Sequence, residues 1–173
     1  MHIKSFSAFI FIFIISCTTP PDIIDEPVIN YKLYQGKWFE IARLPNPVEE
    51  GLTCITMNYE YQDEGIMTVT SRGVNKSDPG DVKTLSGRAW IPDGNEPDKI
   101  KIQFIWPVTI DYVLIHIDEV KGYAILGSPY KHQLWILGRS PVVDDEDFDA
   151  LLKIAEKNGY KLENIIRVDH TCN

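Results

Sequence analysis

Gly36-Lys37-Trp38-Phe39-Glu40-Ile41-Ala42-Arg43 is the stretch from which the fold of this 173-residue chain is most readily read. Its aromatic and β-branched residues fit a pleated, half-buried surface. Toward the C-terminus the same texture returns at short intervals, in the apolar or alternating runs 38–44, 54–61, 66–72, 84–91, 99–106, 111–118, 123–128 and 133–139. Turn-formers such as Asp63-Glu64-Gly65, Asp78-Pro79-Gly80 and Pro92-Asp93-Gly94-Asn95 separate these eight candidate strands. Connections this short favour antiparallel neighbours over helical crossovers. The fold is therefore all-β, an up-and-down barrel or a sandwich, and periodicity alone does not choose between them.

In the other direction, Lys4 precedes an apolar stretch from Phe6 to Ile15 that ends at Ser16-Cys17. It is too short to span a bilayer and has the build of a secretory signal, residues 1–16. Ile14-Ile15-Ser16-Cys17 resembles the bacterial lipobox, which implies cleavage before Cys17 and acylation of its thiol, hence attachment to a membrane. Thr18 in the next position resembles sorting to the outer membrane, facing the periplasm. Residues 17–30, with Pro20, Pro21 and Pro27, lack any sustained period and read as a flexible tether, leaving 31–173 as one domain.

Charge narrows the partners. Lys plus Arg number 17 against 25 Asp plus Glu, a net charge of −8 without a basic run, which disfavours nucleic acid. Cys54 and Cys172 remain once Cys17 is set aside, and in an oxidising compartment they are expected to pair; a reactive thiol at Cys54 is the competing reading. One helix is expected after the strands. Asp144 can cap it, Asp145, Glu146 and Asp147 suit its positive end, and Phe148, Leu151, Leu152 and Ala155 form one apolar stripe, with Gly159 as terminator. A further strand is expected from about Ile165 to His170.

Alternation predicts an inward face. Met57, Tyr59 and Tyr61 share a side, as do Met67 and Val69, Tyr112 and Leu114, Ala124 and Leu126, and Trp135 and Leu137. An eight-stranded barrel is just wide enough to be filled by such side chains or to hold one small ligand, and composition leaves both open. The phenols of Tyr59 and Tyr112 offer hydrogen bonds to a ligand's polar end.

The opening stretch resembles the Gly-x-Trp signature of the lipocalin family, in the form found in its bacterial and apolipoprotein D-like branch. Leu134-Trp135-Ile136-Leu137-Gly138-Arg139-Ser140-Pro141 resembles a later signature of that family, whose arginine packs across the first-strand tryptophan. Between them Ile117-Asp118-Glu119 stands where the family usually has Thr-Asp-Tyr, so only Asp118 matches. The resemblance covers roughly 31–173 and implies an eight-stranded antiparallel up-and-down barrel with one C-terminal helix packed outside. It makes Gly36, Trp38, Asp118 and Arg139 fold residues. It also tips the interior toward an open pocket for a fatty acid, lysophospholipid or similar molecule, lined by Met57, Tyr59, Met67, Val69, Tyr112, Leu114, Ala124, Leu126, Trp135 and Leu137, with Tyr59 and Trp135 foremost.

No catalytic constellation, cofactor motif or metal-ligand spacing is evident. His2 leaves with the signal, and His116, His132 and His170 are far apart in sequence. His116, next in phase after Leu114, is expected to point inward. Asp118 and Glu119 are strand neighbours and face opposite sides. Gly87, Gly122 and Gly127 suit bends and tight packing in a curved sheet. The leading expectation is a non-enzymatic lipid carrier, for which a homodimer is admissible. An isomerase using Cys54 or His116, and an interaction module with a filled barrel, are the alternatives.

Overall fold

The computed structural model describes residues 30–62 and 64–172. The expected signal at 1–16, the acylation expected at Cys17 and the tether up to residue 29 lie outside the described residues. After a short 3-10 turn at Tyr31–Leu33, strands β1 (Gly36–Arg43), β2 (Leu52–Tyr61), β3 (Ile66–Asn75), β4 (Asp78–Trp90), β5 (Lys99–Ile105), β6 (Val108–Asp118), β7 (Tyr123–Gly127) and β8 (Leu134–Gly138) follow one another, each antiparallel to the last. β1 pairs with both β2 and β8, so the sheet closes on itself as an up-and-down barrel without a free edge. All eight expected strands are present.

The helix α1 (Asp145–Lys157) begins where its chemistry dictates. The Asp144 carboxylate accepts a 2.8 Å hydrogen bond from the backbone N–H of Asp147, and the three acidic residues that follow sit at the positive end of the dipole. Phe148, Leu151 and Ala155 bury their stripe against Ile41, Ile125 and Ile136 on the outside of the barrel. Every residue of β8 is buried because one face looks into the barrel and the other lies under the helix side. The chain then returns to β1 as β9, only Ile166–Arg167, shorter than the 165–170 expected from apolar content. Cys54 and Cys172, 118 residues apart, are joined by a disulfide.

One turn is corrected. Asp78-Pro79-Gly80 does not make the turn after β3: the chain reverses at Lys76-Ser77, Asn75 pairs with Asp78, and residues 79–81 bulge out before Val74 meets Val82. Asn75 organises this reversal by accepting from the Ser77 N–H and donating to Asp81. The glycines do serve packing. A Cβ on Gly87 would lie 2.3 Å from the Gln103 carbonyl oxygen, and one on Gly127 would lie 2.1 Å from the Tyr160 hydroxyl. That hydroxyl donates to the Ser128 carbonyl, locking the post-helix segment onto the barrel.

Candidate ligand-binding site

The barrel has a closed end and an open one. At the closed end the Arg139 guanidinium lies 3.6 Å from the centre of the Trp38 indole and donates to the carbonyls of Lys37 and Leu33, while the indole N–H donates to the Tyr34 carbonyl. Gly36 and Gly122, with φ of +91° and +74°, make room for this arginine: a Cβ on Gly122 would lie 2.9 Å from its side chain. Asp118 holds the adjoining turn by accepting from the N–H groups of Val120 and Lys121. Gly36, Trp38, Asp118 and Arg139, with Gly122, thus stand together at the floor.

Above the floor the interior divides in two. Met67, Val69, Ala124 and Leu137 are buried with Ala89, Ile100 and Trp38, and Leu114 packs against them, filling the lower half. Beyond this layer lies a cavity of about 610 Å³. Met57, Tyr59, Tyr112, Leu126 and Trp135 are on its wall, so the sequence-derived face supplies both the packed layer and part of a mostly apolar pocket. Most of the wall was missed, the largest contributions being these. Ile102, Phe104, Ile105, Val108 and Ile110 come from the β5–β6 hairpin, and Asn46, Val48 and Glu49 from the β1–β2 connection. The apolar run 99–106 carried the signal for the first of these, whereas the loop residues gave none.

Tyr61, on the same side as Met57 and Tyr59, is nearly half exposed at the end of β2. Trp135 and Tyr112 meet edge to face with centroids 5.2 Å apart. Burial raises both the Tyr59 and Tyr112 phenols above their ordinary range, Tyr112 further through the nearby Glu49 charge, so both are neutral at physiological pH. The Tyr59 hydroxyl is turned to the Met57 sulfur at 3.9 Å, a weak contact that leaves Tyr112 as the better donor toward the cavity.

A polar cluster absent from the sequence reading stands beside the pocket. Glu40 and Arg43, three residues apart, should face opposite sides of a strand. A bulge between Glu40 and Ala42 breaks the alternation, bringing Glu40 opposite Leu137 and Arg43 opposite Trp135, both on the inner face. Arg43 donates to Glu40 at 2.8 Å and to the carbonyls of Glu49 and Leu52, and its Nε lies 3.8 Å from the Glu49 carboxylate. Trp135 Nε1 donates to the same Glu49 oxygen at 3.0 Å, as does the Asn46 side chain. Burial, then repulsion from Glu49, pushes the Glu40 carboxyl up to about 8 despite Arg43, and its Oε2, without a hydrogen-bond partner, is free to carry the proton.

The residues of the enzymatic alternative are placed elsewhere. Cys54 is disulfide-bonded and so has no thiol to ionise. His116 does not point inward: a second bulge, between Leu114 and His116, reverses the phase and sets His116 opposite Ile125, whose side chain lies on the outer face under the helix side. No group of His, Cys, Asp and Glu suited to a metal occurs among the described residues.

A family model described as a lipocalin-like domain matches residues 29–170. Outer membrane lipoprotein Blc of Vibrio cholerae is 30% identical over 155 residues, covering 88% of this chain and 90% of that protein. Its Escherichia coli K12 counterpart is 30% identical over 158 residues, covering 90% and 89%. Bovine apolipoprotein D is 27% identical over 160 residues, covering 88% and 82%. Among solved structures, lobster apocrustacyanin A1 superposes with a TM-score of 0.65 at 16% identity, over 80% of this chain and 78% of that one. Insecticyanin from Manduca sexta gives 0.64 at 22%, over 81% and 80%, and both likenesses speak to the fold alone.

Proposed function

This chain belongs to the lipocalin family, whose barrels bind small hydrophobic ligands, and from that premise we propose that it carries or stores an acyl-chain lipid, a fatty acid or lysophospholipid, at the bacterial outer membrane. The observation that carries the proposal is the cavity of about 610 Å³ above the filled floor, within the range of about 300–1,000 Å³ usual for small-molecule sites. Its aromatic and aliphatic wall rewards an apolar guest, with Met57, Tyr59, Tyr112, Leu126 and Trp135 in contact and Met67, Val69, Leu114, Ala124 and Leu137 supporting them from below.

Burying about 16 carbons gains on the order of 12 kcal/mol gross at 0.8 per methylene, against an association cost of about 4–15 kcal/mol. The balance gives affinities near micromolar, suited to reversible carriage. Residues 1–16 serve as the signal, Cys17 as the acylated anchor and 17–30 as the tether holding the 31–173 domain on the periplasmic side. The names of the Vibrio and Escherichia relatives, outer membrane lipoproteins, support this location.

Titration with palmitate or lysophospholipid should quench part of the tryptophan emission saturably, and Trp135→Phe should abolish most of that change. An unsaturable response to every acyl-chain lipid refutes the carrier. Mass spectrometry of the mature N-terminus tests the anchor: an unmodified Cys17 refutes it.

A further inference from the structure

We propose that the barrel docks mouth-first on a phospholipid bilayer, its β5–β6 hairpin inserting Ile105, Trp106 and Val108 among the lipids, so that a guest passes from membrane to pocket without crossing water. The route taken by the guest rests on the carrier reading above, whereas the docking stands apart from it and has its own readout. The observation behind the proposal is where apolar surface gathers. At the open end Trp106 is 80% exposed, Ile105 68% and Val108 61%, and Val48 and Tyr130 on the neighbouring connections are comparably open. At the closed end Tyr61, Val120 and Val142 stand on separate segments. Isolated apolar residues are ordinary on a surface, but a cluster on one rim marks a docking face.

The chemistry of the hairpin fits a bilayer better than a protein. From Phe104 to Ile110 there is no charged or amide side chain, and Thr109 brings the one hydroxyl. The first charges below the tip, Lys101 and Asp111, pair with each other. A protein interface rings its apolar centre with hydrogen-bonding groups that fix the partner's register, and this tip offers almost none. A bilayer asks for none. Trp106 suits the boundary between head groups and acyl chains, because its ring is apolar while its indole N–H, without a partner among the described residues, is free for a head-group oxygen. Ile105, Val108 and Val48 also line the cavity, so apolar surface continues from the rim into the pocket. Charges of both signs surround the mouth, Glu50, Asp78 and Asp81 against Lys76, Lys83 and Lys131, so docking draws on apolar area rather than on net charge.

The anchor proposed at Cys17 permits this orientation. The chain enters the barrel at the closed end, where the Leu33 carbonyl accepts from Arg139. Cys17 precedes Asn30 by 13 residues, a reach of up to about 45 Å. The ten-residue β2 is about 33 Å long and strands tilt within a barrel, so the anchor and the mouth can meet the same bilayer.

The test places the full acylated protein in phosphatidylcholine vesicles, its pocket first loaded with unbrominated palmitoyl lysophosphatidylcholine. Tryptophan emission is compared between plain vesicles and vesicles brominated on the acyl chains close to the head group, for the wild type and for Trp106→Phe. The difference between the two proteins isolates Trp106, which is expected to lose about half or more of its emission to the bromines, equally at low and high salt. Trp106→Ser is expected to slow uptake of a fluorescent lysophospholipid from vesicles about tenfold while leaving its affinity within about twofold, since this side chain lies outside the cavity wall. Both changes fall on an exposed tip and leave the core as it is. Trp106 emission untouched by bromine overturns the docking, and so does quenching that vanishes at high salt. Emission shielded from acrylamide yet untouched by bromine gives the rim to a second copy of the chain and overturns it equally. An uptake rate unchanged in Trp106→Ser overturns the route from membrane to pocket. These outcomes leave lipid carriage standing, whereas bromine quenching of Trp106 in a protein that binds no acyl-chain lipid removes the carrier reading and keeps the docking.

Discussion

Arg139→Met removes the clamp that shuts the bottom of the barrel while keeping an unbranched apolar stem. Two kinds of interaction disappear. The guanidinium stacks 3.6 Å from the Trp38 ring centre, a contact worth about 0.5–2 kcal/mol according to its desolvation. It also donates to the Lys37 carbonyl at 3.0 Å and the Leu33 carbonyl at 3.3 Å, joining β1 and the turn before it to the end of β8. Charge-assisted bonds reach about 1.5–3 kcal/mol each when dry, but this side chain is partly exposed and solvent takes much of that back. The sum is about 2–4 kcal/mol, which for a domain of this size lowers Tm on the order of 10 °C. Urea unfolding followed by tryptophan emission measures it, with Arg139→Lys as a comparison that keeps charge but loses the planar stack and should fall between. Lipid affinity should stay within about twofold, because Trp38, Val69 and Leu137 separate the clamp from the cavity. A loss below about 0.5 kcal/mol, the range of an ordinary surface change, refutes the clamp. An equal loss of lipid affinity in folded protein refutes the separation of floor from pocket.

Glu40, raised to about 8, keeps a proton that the unfolded chain releases near 4.5, so its contribution makes stability fall as pH rises through that window and level off above it, at up to about 1.4 kcal/mol per pH unit. Glu40→Gln should gain on the wild type by a few kcal/mol between pH 5 and pH 8.5 in urea melts; a constant difference contradicts the shift. Removing both Cys54 and Cys172 as serines should cost about 4–5 kcal/mol, since the bridge closes most of the domain into one loop, and a cost under about 1 kcal/mol in the same melts contradicts that. Gly127→Ala should destabilise by about 1–3 kcal/mol by driving a methyl into the Tyr160 hydroxyl, and Tyr160→Phe should recover part of the loss, with no recovery counting against this contact.

How far the sequence disclosed these features depended on whether alternation held. Strand number, the two signature stretches and the helix with its Asp144 cap were legible because they rest on local pattern and on short motifs. Two bulges defeated the rest. Between Glu40 and Ala42 one extra residue turns Arg43 inward and builds the Glu40–Arg43–Glu49 cluster, which strict alternation would have scattered. Between Leu114 and His116 another carries the histidine to the outer face. Neither bulge is written in residue type, since both arise from how a closed sheet must bend. The interior itself could not be apportioned from one strand at a time. Whether Met67 packs while Met57 borders space depends on height along the barrel, which emerges only when all eight strands are in register.

Whether the empty upper half of the barrel is a lipid site is tested most directly by calorimetric titration of a palmitoyl lysophospholipid into the wild-type protein and into Ser71→Trp, a change that drives an indole from the β3 wall into open space. One lipid per chain at near-micromolar Kd, with binding weakened tenfold or more in a variant that still unfolds cooperatively, is the predicted result. Absence of saturable heat in the wild type, or equal affinity in the plugged barrel, would contradict it.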